Sequence, residues 1–493
     1  MKFEVNERNV LLIGTLLAIA APFLLVTYVP STDLPQHLAQ VRLLFDVLRG
    51  NHQTDLTLNL FAPNILVYLP LSIAWLVFPP VLAGKVVMLF LIVASALSTL
   101  VFALKNGRSI ESAALVSILV FNASFYWGFV NFLIGWPFFL WWMHLLTHRE
   151  RVESGWRHVV VEGVVALLLF LSHALWFAAG VGVMVFLNLL DRFPRRRMFR
   201  HALALAPELL ISMVWYPRMS SARASLGFDT AAHWYTMPLD RFSPAWLVDS
   251  MMGGLMGPAE SILCAAIVIW IGLCIVTNIR KLRDSVDPTL LIAGGLILLF
   301  VLLAPDKYMN TIGFASRWLP MGITLIVLGL PRPRVPAALS FSFPLLILVV
   351  FSLVTSNAWR NFDSRELDGF SQALQAVPDN GKVLGLDFVR QSEQIKGQPF
   401  MQLFSYAQVL HGGELNFSFT MLQSEIVVLE KLPTFNFTLG LEWLPELATK
   451  HDYDVFDVTV VNAYEDEHRA IDSSGLATPL TFRGMWRAYG PRR

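Results

Sequence analysis

Long apolar runs, broken by short polar and mostly basic segments, dominate the first three-quarters of the chain. A helix that crosses a bilayer core needs about 20 apolar residues. On that measure the runs near 10–29, 84–104, 109–126, 129–147, 158–172, 173–190, 199–216, 258–277, 288–304, 317–330 and 337–355 read as transmembrane helices, about eleven in all. The stretch 158–190 is too long for one helix and short for two, and the division is placed at Ser172-His173. From Asn357 onward the pattern changes: charges, Gly and Asn appear, and no further span fits. Asp368–Val377 and Trp443–Lys450 are predicted as helices, Gly381–Asp387 and Asp457–Val461 as buried strands, and Gly484–Tyr489 as an edge strand. Helices alternating with apolar strands predict a small α/β domain. The expected fold is a multi-pass α-helical membrane protein, residues 1–356, with a C-terminal soluble α/β domain, residues 357–493.

Composition supports this reading. Hydrophobic residues make up 55% of the 493 and charged ones 15%, against about 25% charged in soluble domains. That excludes a large soluble enzyme, and a net charge of +1 supplies no general attraction to nucleic acid. Cys264 and Cys274 lie in one apolar run, about 15 Å apart if it is helical, too far to pair there; they read as small core residues. Lys2 and Arg8 precede the run Val10–Val29, as in a signal peptide. The run has the length of a full span, so it is expected to stay as an uncleaved first helix.

Orientation follows from Lys and Arg in the loops. Lys2/Arg8, Lys105/Arg108, Arg149/Arg151/Arg157, Arg192–Arg200, Arg280/Lys281/Arg283 and Arg332/Arg334 occupy alternate loops. The other set of loops is longer and carries fewer basic residues. The N-terminus is therefore expected in the cytoplasm, with loops 30–83 and 217–257 and the C-terminal domain outside the cytoplasmic membrane. This parity makes the apolar segment Ala62–Phe78 a juxtamembrane or re-entrant helix. The alternative is a real span paired with a second, missed one.

The first outer loop holds the clearest chemistry. Ser31-Thr32-Asp33-Leu34-Pro35-Gln36-His37-Leu38 places an acid and an imidazole four residues apart, just past the first span. A helix starting here would carry Pro35 in its first turn and an apolar stripe of Leu38, Val41, Phe45 and Leu48. Gln36, His37, Gln40, Asp46 and Arg49 would lie away from the stripe, as in a helix lying on the membrane interface. In the plainer reading, Asp33 caps that helix and His37 is a surface residue. In the functional one, Asp33 is a general base or a metal ligand with His37 beside it.

An acidic residue after the first helix, an outer juxtamembrane element running from Ala62-Pro63-Asn64 to Tyr68-Leu69-Pro70, and a second span ending in basic residues together resemble the GT-C class of membrane glycosyltransferases. The likeness is narrower to bacterial members related to the aminoarabinose and protein-mannosyl transferases. Gly128-Phe129-Val130-Asn131-Phe132, Ser172-His173 and Ser316-Arg317-Trp318-Leu319-Pro320 are similar to segments of uncharacterised proteins of this group. The resemblance covers most of 1–355 as architecture. It implies a polyprenyl-phosphate sugar as donor, reaction at the outer leaflet, and Asp33 as base or ligand of a divalent metal ion. Thr32-Asp33 stands where the best-known members often show two adjacent acids.

Other candidates fit that picture. Lys85, His173 and Arg317 are placed at outer ends of spans, where they could meet a lipid phosphate. The plain alternatives are snorkelling for the two cations and a hydrogen-bonded packing role for the histidine. Arg218, Asp229, His233 and Tyr235, in the loop 217–257 with Trp234 and Trp246, suit a sugar or lipid headgroup, or an aromatic interface belt. His411-Gly412-Gly413-Glu414 reads as a turn, with a place over the active site as the alternative. The expected activity is transfer of a sugar from a polyprenyl-phosphate carrier to a glycan, lipid or protein acceptor. A transporter or flippase of a lipid-linked glycan and a non-catalytic assembly protein are the alternatives.

Overall fold

The computed structural model describes residues 7–492, apart from 52–55, 61, 149–154, 193–194, 226, 228, 423, 431–435 and the side chains of 222 and 225. The topology markers Lys2, Arg149 and Arg151 lie outside the described residues. The protein is mostly helical, with a strand-containing C-terminal region. The first helix α1 (Glu7–Ala20) continues as a tighter turn to Leu25. Then come α2 (Leu34–Leu48), the short strand β1 (Leu56–Leu58), α3 (Tyr68–Val77) and α4 (Pro80–Lys105).

Among the described residues, six helical segments are long and apolar enough to cross a membrane: Glu7–Leu25, Pro80–Lys105, Ile110–Trp127, Val130–Thr147, Ala259–Val276 and Ala337–Glu366. The pair Ile279–Ser285 and Pro288–Leu303, bent by 94°, would make a seventh. Eleven spans are thus not reached, although each of the eleven apolar runs falls on helix. Helices Trp156–Ser172 and Ala174–Leu190 have 17 residues each, and Pro288–Leu303 has 16, short of a full crossing. Helix Arg195–Ser225 is long, but its arginines dilute its apolar character. Ala62–Phe78 forms the ten-residue helix α3 rather than a span.

The tail builds a five-stranded sheet of order β3-β2-β5-β7-β6. Its strands are β2 (Lys382–Asp387), β3 (Glu414–Leu415), β5 (Val458–Asn462), β6 (Ala477–Pro479) and β7 (Trp486–Pro491). β2 runs parallel to both β3 and β5, while β7 is antiparallel to β5 and β6. The apolar runs of β2 and β5 are buried on both faces, which explains their lack of alternation. Two expectations need correction. The segment near Gly484–Tyr489 lies inside the sheet, between β5 and β6. The helix placed at Trp443–Lys450 begins only at Lys450 and runs to Val455.

The tail does not stand free. A remaining strand, β4 (Val427–Leu429), leaves the sheet and pairs antiparallel with β1 of the first loop. Asp363 accepts the N–H groups of Thr27 and Tyr28 at 2.9 and 3.0 Å, and Tyr28 packs edge-on to Tyr406. Buried side chains of the helices and of one face of the sheet form one continuous apolar core, while Leu384, Leu386, Val461 and Tyr489 belong to a second, smaller core in the tail.

Candidate active site

The apolar stripe of α2 predicts a helix lying on the membrane surface. In the structure it is instead sandwiched between the bundle and the tail, buried over most of Leu34–Leu44. Its polar face is the reason. Gln36 donates through Nε2 to Gln402 Oε1 and Ser405 Oγ, each at 2.8 Å, and accepts from the N–H of Phe419 at 3.2 Å. Gln40 accepts from the N–H of Val427 at 2.9 Å. Residues that look solvated from the sequence therefore satisfy tail groups in the interior.

Asp33 sits at the N-cap position, but its side chain makes no capping bond. Its backbone is held from below: the N–H groups of Thr32 and Asp33 donate to the carbonyls of Tyr126 and Trp127 at 2.9 and 3.0 Å. Gly128, with φ +80°, ends that turn, and a Cβ there would come within 2.5 Å of the Asp33 nitrogen. The Asp33 carboxylate thus has a fixed backbone, no hydrogen-bond partner among the described residues, and part of its surface open. Burial, followed by the charge of Glu425, raises its pKa to about 8.

Glu425 comes from the tail, on the residues leading into β4, and is buried. Tyr68, the first residue of α3, donates its hydroxyl to Glu425 at 2.5 Å and meets His37 Nδ1 at 2.9 Å. An oxygen that donates to a carboxylate accepts from its other neighbour, so His37 carries its proton on Nδ1. Burial holds His37 neutral, down to about 3. The His37 side chain is therefore shut in among Tyr68, Glu425 and Phe419, and its Nδ1 is committed to Tyr68. Among the described residues no three His, Cys, Asp or Glu side chains converge as a metal set. The described residues do not compose a protein-built metal cage.

The cationic side of the site begins at Arg317. It lies 4.5 Å from the ring centre of Phe129 and 5.1 Å from that of Phe132, and its guanidinium donates to the carbonyls of Gly313, at 3.0 Å, and Ile312. The Gly128–Phe132 segment thus supports Asp33 with its glycine and Arg317 with its phenylalanines. His173 packs edge-on to Phe132. Its Nδ1 accepts from the N–H of Leu175 at 3.1 Å, capping helix Ala174–Leu190, which leaves the proton on Nε2. Its Nε2–H is thus the donor it can offer to a neighbour. Arg223 lies within electrostatic reach of both His173 and Glu425. The loop segment at Asn64 joins this end too, its Oδ1 accepting from the N–H of Ala174.

Asp33 and His37 of the first loop, His173 and Arg317 therefore belong to one linked set of neighbours, with Tyr68, Arg223 and Glu425 as further members. Lys85 is not tied into it: its ammonium donates to the carbonyl of Val26 at 2.9 Å and anchors the end of the first span. Asp229 and His233 pair with each other at 2.5 Å beside Lys307, and Tyr235 stacks on His233, in a largely exposed patch. Arg218 borders a separate recess with β1 and Trp215. In that loop it is Arg241 that is buried, donating to the carbonyls of Val301 and Ala304 at the end of helix Pro288–Leu303 and pairing with Asp306 at 3.1 Å. That is the bonding of a structural clamp.

An apolar groove of about 870 Å³ runs down from this end between helices Ala174–Leu190 and Pro288–Leu303. Ala179, Gly182 and Phe186 line one wall, Ile297 and Phe300 the other, and Trp318, the neighbour of Arg317, closes its head. No family model matches the chain, and neither a curated protein nor a solved structure matches it.

Proposed function

We propose that the protein transfers a sugar from a polyprenyl-phosphate carrier to an acceptor hydroxyl at the outer face of the cytoplasmic membrane. The observation that carries the reading is Asp33: a partly open carboxyl group with no hydrogen-bond partner among the described residues, raised to about 8 by burial and by Glu425. A base works best with a pKa near the operating pH. In this mechanism Asp33 takes the proton of the acceptor hydroxyl as the acceptor oxygen attacks the anomeric carbon. The bond from that carbon to the phosphate oxygen breaks, and its electron pair leaves with the polyprenyl phosphate. Arg223, Arg317 and the Nε2–H of His173 meet the charge that develops there. The groove headed by Trp318 takes the isoprenoid chain, which needs an apolar channel leading away from a cationic end.

The relative placement of groups agrees with the charge bias of the loops. Arg108 and Arg332 meet at one end of the bundle, where Arg108 donates to the carbonyls of Leu328, Gly329 and Leu330 and Arg332 pairs with Glu111. Asp33, Arg317 and the tail share the other end, the one assigned here to the outer face. The test is transfer of labelled sugar from a polyprenyl-phosphate donor by purified full-length protein in lipid nanodiscs. Asp33→Asn is expected to lower the rate at least about 100-fold, the lower range for a lost general base. Full activity in a folded Asp33→Asn protein would overturn the assignment.

One observation favours the second reading, translocation of a lipid-linked glycan. Glu162 and His201 are hydrogen-bonded to each other between helices Trp156–Ser172 and Arg195–Ser225, both almost fully buried. Buried ionisable groups within membrane helices are functional candidates by default. On that reading Glu162→Gln would stop flipping of a fluorescent lipid-linked sugar, and Asp33→Asn would leave it intact.

A further inference from the structure

The tail and the first loop enclose a second cleft, of about 890 Å³ with its mouth counted. Leu43 of α2 and Leu56 of β1 form the membrane-domain wall, and the tail supplies the rest. It therefore exists only because β4 pairs with β1 and draws the tail over the loop. Leu43 is ten residues beyond Asp33 on the same helix, about 15 Å along its axis, so the cleft opens one short reach from the proposed base.

Its chemistry is specific in three respects. Gln408 is 3% exposed and lines the cleft. Its Nε2 donates to the carbonyl of Gly413 at 2.7 Å, which fixes the orientation of the amide, because a carbonyl accepts only from the nitrogen. The Gln408 Oε1 is then left buried with no hydrogen-bond partner among the described residues. A buried acceptor in that state destabilises the fold unless something donates to it. Second, Phe437 and Phe456 meet edge-on at 5.1 Å and form an apolar wall. Third, the charged pair of the lining, Lys382 and Glu414, stands 3.4 Å apart and neutralises itself. The ligand that fits has hydroxyl or amide donors, an apolar face and no charge.

We infer that this cleft binds a neutral saccharide, with Gln408 Oε1 accepting from a sugar hydroxyl or amide and the Phe437–Phe456 wall covering the C–H face of the ring. Under the transfer reading, which this deepens, the bound saccharide is the acceptor glycan, and its reactive end lies toward Asp33. The Gly412-Gly413 turn then supports the cleft directly. Both glycines take positive φ, and the turn presents the Gly413 carbonyl that holds Gln408.

The experiment is ligand-observed NMR on the full-length protein in nanodiscs, with chitotriose and maltotriose as neutral probes and a sulfated trisaccharide as the anionic one. At least one neutral probe is expected to bind. Gln408→Leu should weaken that binding by about tenfold, the scale of one lost buried hydrogen bond. Met421→Trp, which fills the cleft and leaves Gln408 untouched, should abolish it, while Lys382→Ala should change it less than about threefold. Unfolding midpoints matched to the parent protein establish that the variants fold. Binding by neither neutral probe, preference for the sulfated one, or binding indifferent to both Gln408→Leu and Met421→Trp would overturn the inference. Loss of the transfer reading alone would appear as intact saccharide binding by a parent protein that transfers no sugar from the polyprenyl-phosphate donor.

Discussion

Glu425 faces Asp33 across the junction of tail and membrane domain, and its charge adds to burial in holding a proton on Asp33 up to about pH 8. An aspartate in that state weakens the fold. In the unfolded chain Asp33 loses its proton near 3.8, so between about pH 4 and pH 8 the folded protein holds a proton that the unfolded chain has released. Stability therefore falls as pH rises through that window. Asp33→Asn mimics the protonated group and takes no part in this loss. We expect its unfolding midpoint in nanodiscs to equal or exceed the parent's at pH 8, with a smaller gap at pH 5. A lower midpoint at pH 8 would mean that the carboxylate is structural.

The same pair sets a pH profile. If Asp33 acts as a base, transfer rises as its proton leaves, with an apparent midpoint near 8. Glu425→Gln removes the repelling charge, lowers the Asp33 pKa and moves the rising limb toward acid. The neutral amide still accepts from the Tyr68 hydroxyl, so the fold is retained. The rate of sugar transfer measured from pH 5 to 9 decides this: a shift toward alkali, or none, is incompatible with the two carboxylates sensing each other.

Gly128 carries no reactive group, yet its substitution should reach the chemistry. At φ +80° an alanine is strained, and its Cβ would lie 2.5 Å from the Asp33 nitrogen, so the backbone of Asp33 must shift. Displacing a reacting group by about 1 Å can cost on the order of 100-fold. Gly128→Ala is expected to lower kcat by roughly tenfold or more with a small change in KM for the lipid donor. A variant with normal kcat would show that Asp33 needs no such support.

How much of this is legible in the sequence depends on what each residue advertises locally. Asp33 stands out as a lone acid following a full apolar run, and Arg317 and His173 as polar groups interrupting apolar ones. The bonding that defines them is non-local. Nothing near Ser424-Glu425 states that it will sit over Asp33; the available signal is a charge leading into the apolar run Ile426–Leu429. Gln36 and Gln40 read as a solvated face because helical periodicity reports polarity and not the partner that satisfies it, here the tail. Lys85 and the Asp229–His233–Tyr235 group have suitable chemistry, but the fold ties Lys85 to a carbonyl of the first span and leaves the others on a peripheral loop. Helix positions follow from hydropathy alone, whereas the number of full crossings does not, because 16- and 17-residue helices satisfy the same pattern with less length.

The groove headed by Trp318 gives the most direct test of a lipid donor. Gly182 lines it from the middle of helix Ala174–Leu190, and a Cβ built there meets nothing within 4 Å. A large side chain at this position therefore enters empty groove space, with no packed neighbour to displace, and replacing a mid-helix glycine favours the helix by up to about 1 kcal/mol. Gly182→Phe should leave the unfolding midpoint equal or higher while it blocks the path of an isoprenoid chain. Transfer from a long-chain polyprenyl-phosphate sugar is expected to show KM raised at least about tenfold with kcat little changed, because the loss lies in uniform binding. A short-chain analogue that ends above Gly182 should be used equally by parent and variant. If the long and short donors respond alike, the chain does not occupy this groove, and Arg317 and Arg223 are recruiting the phosphate from another direction.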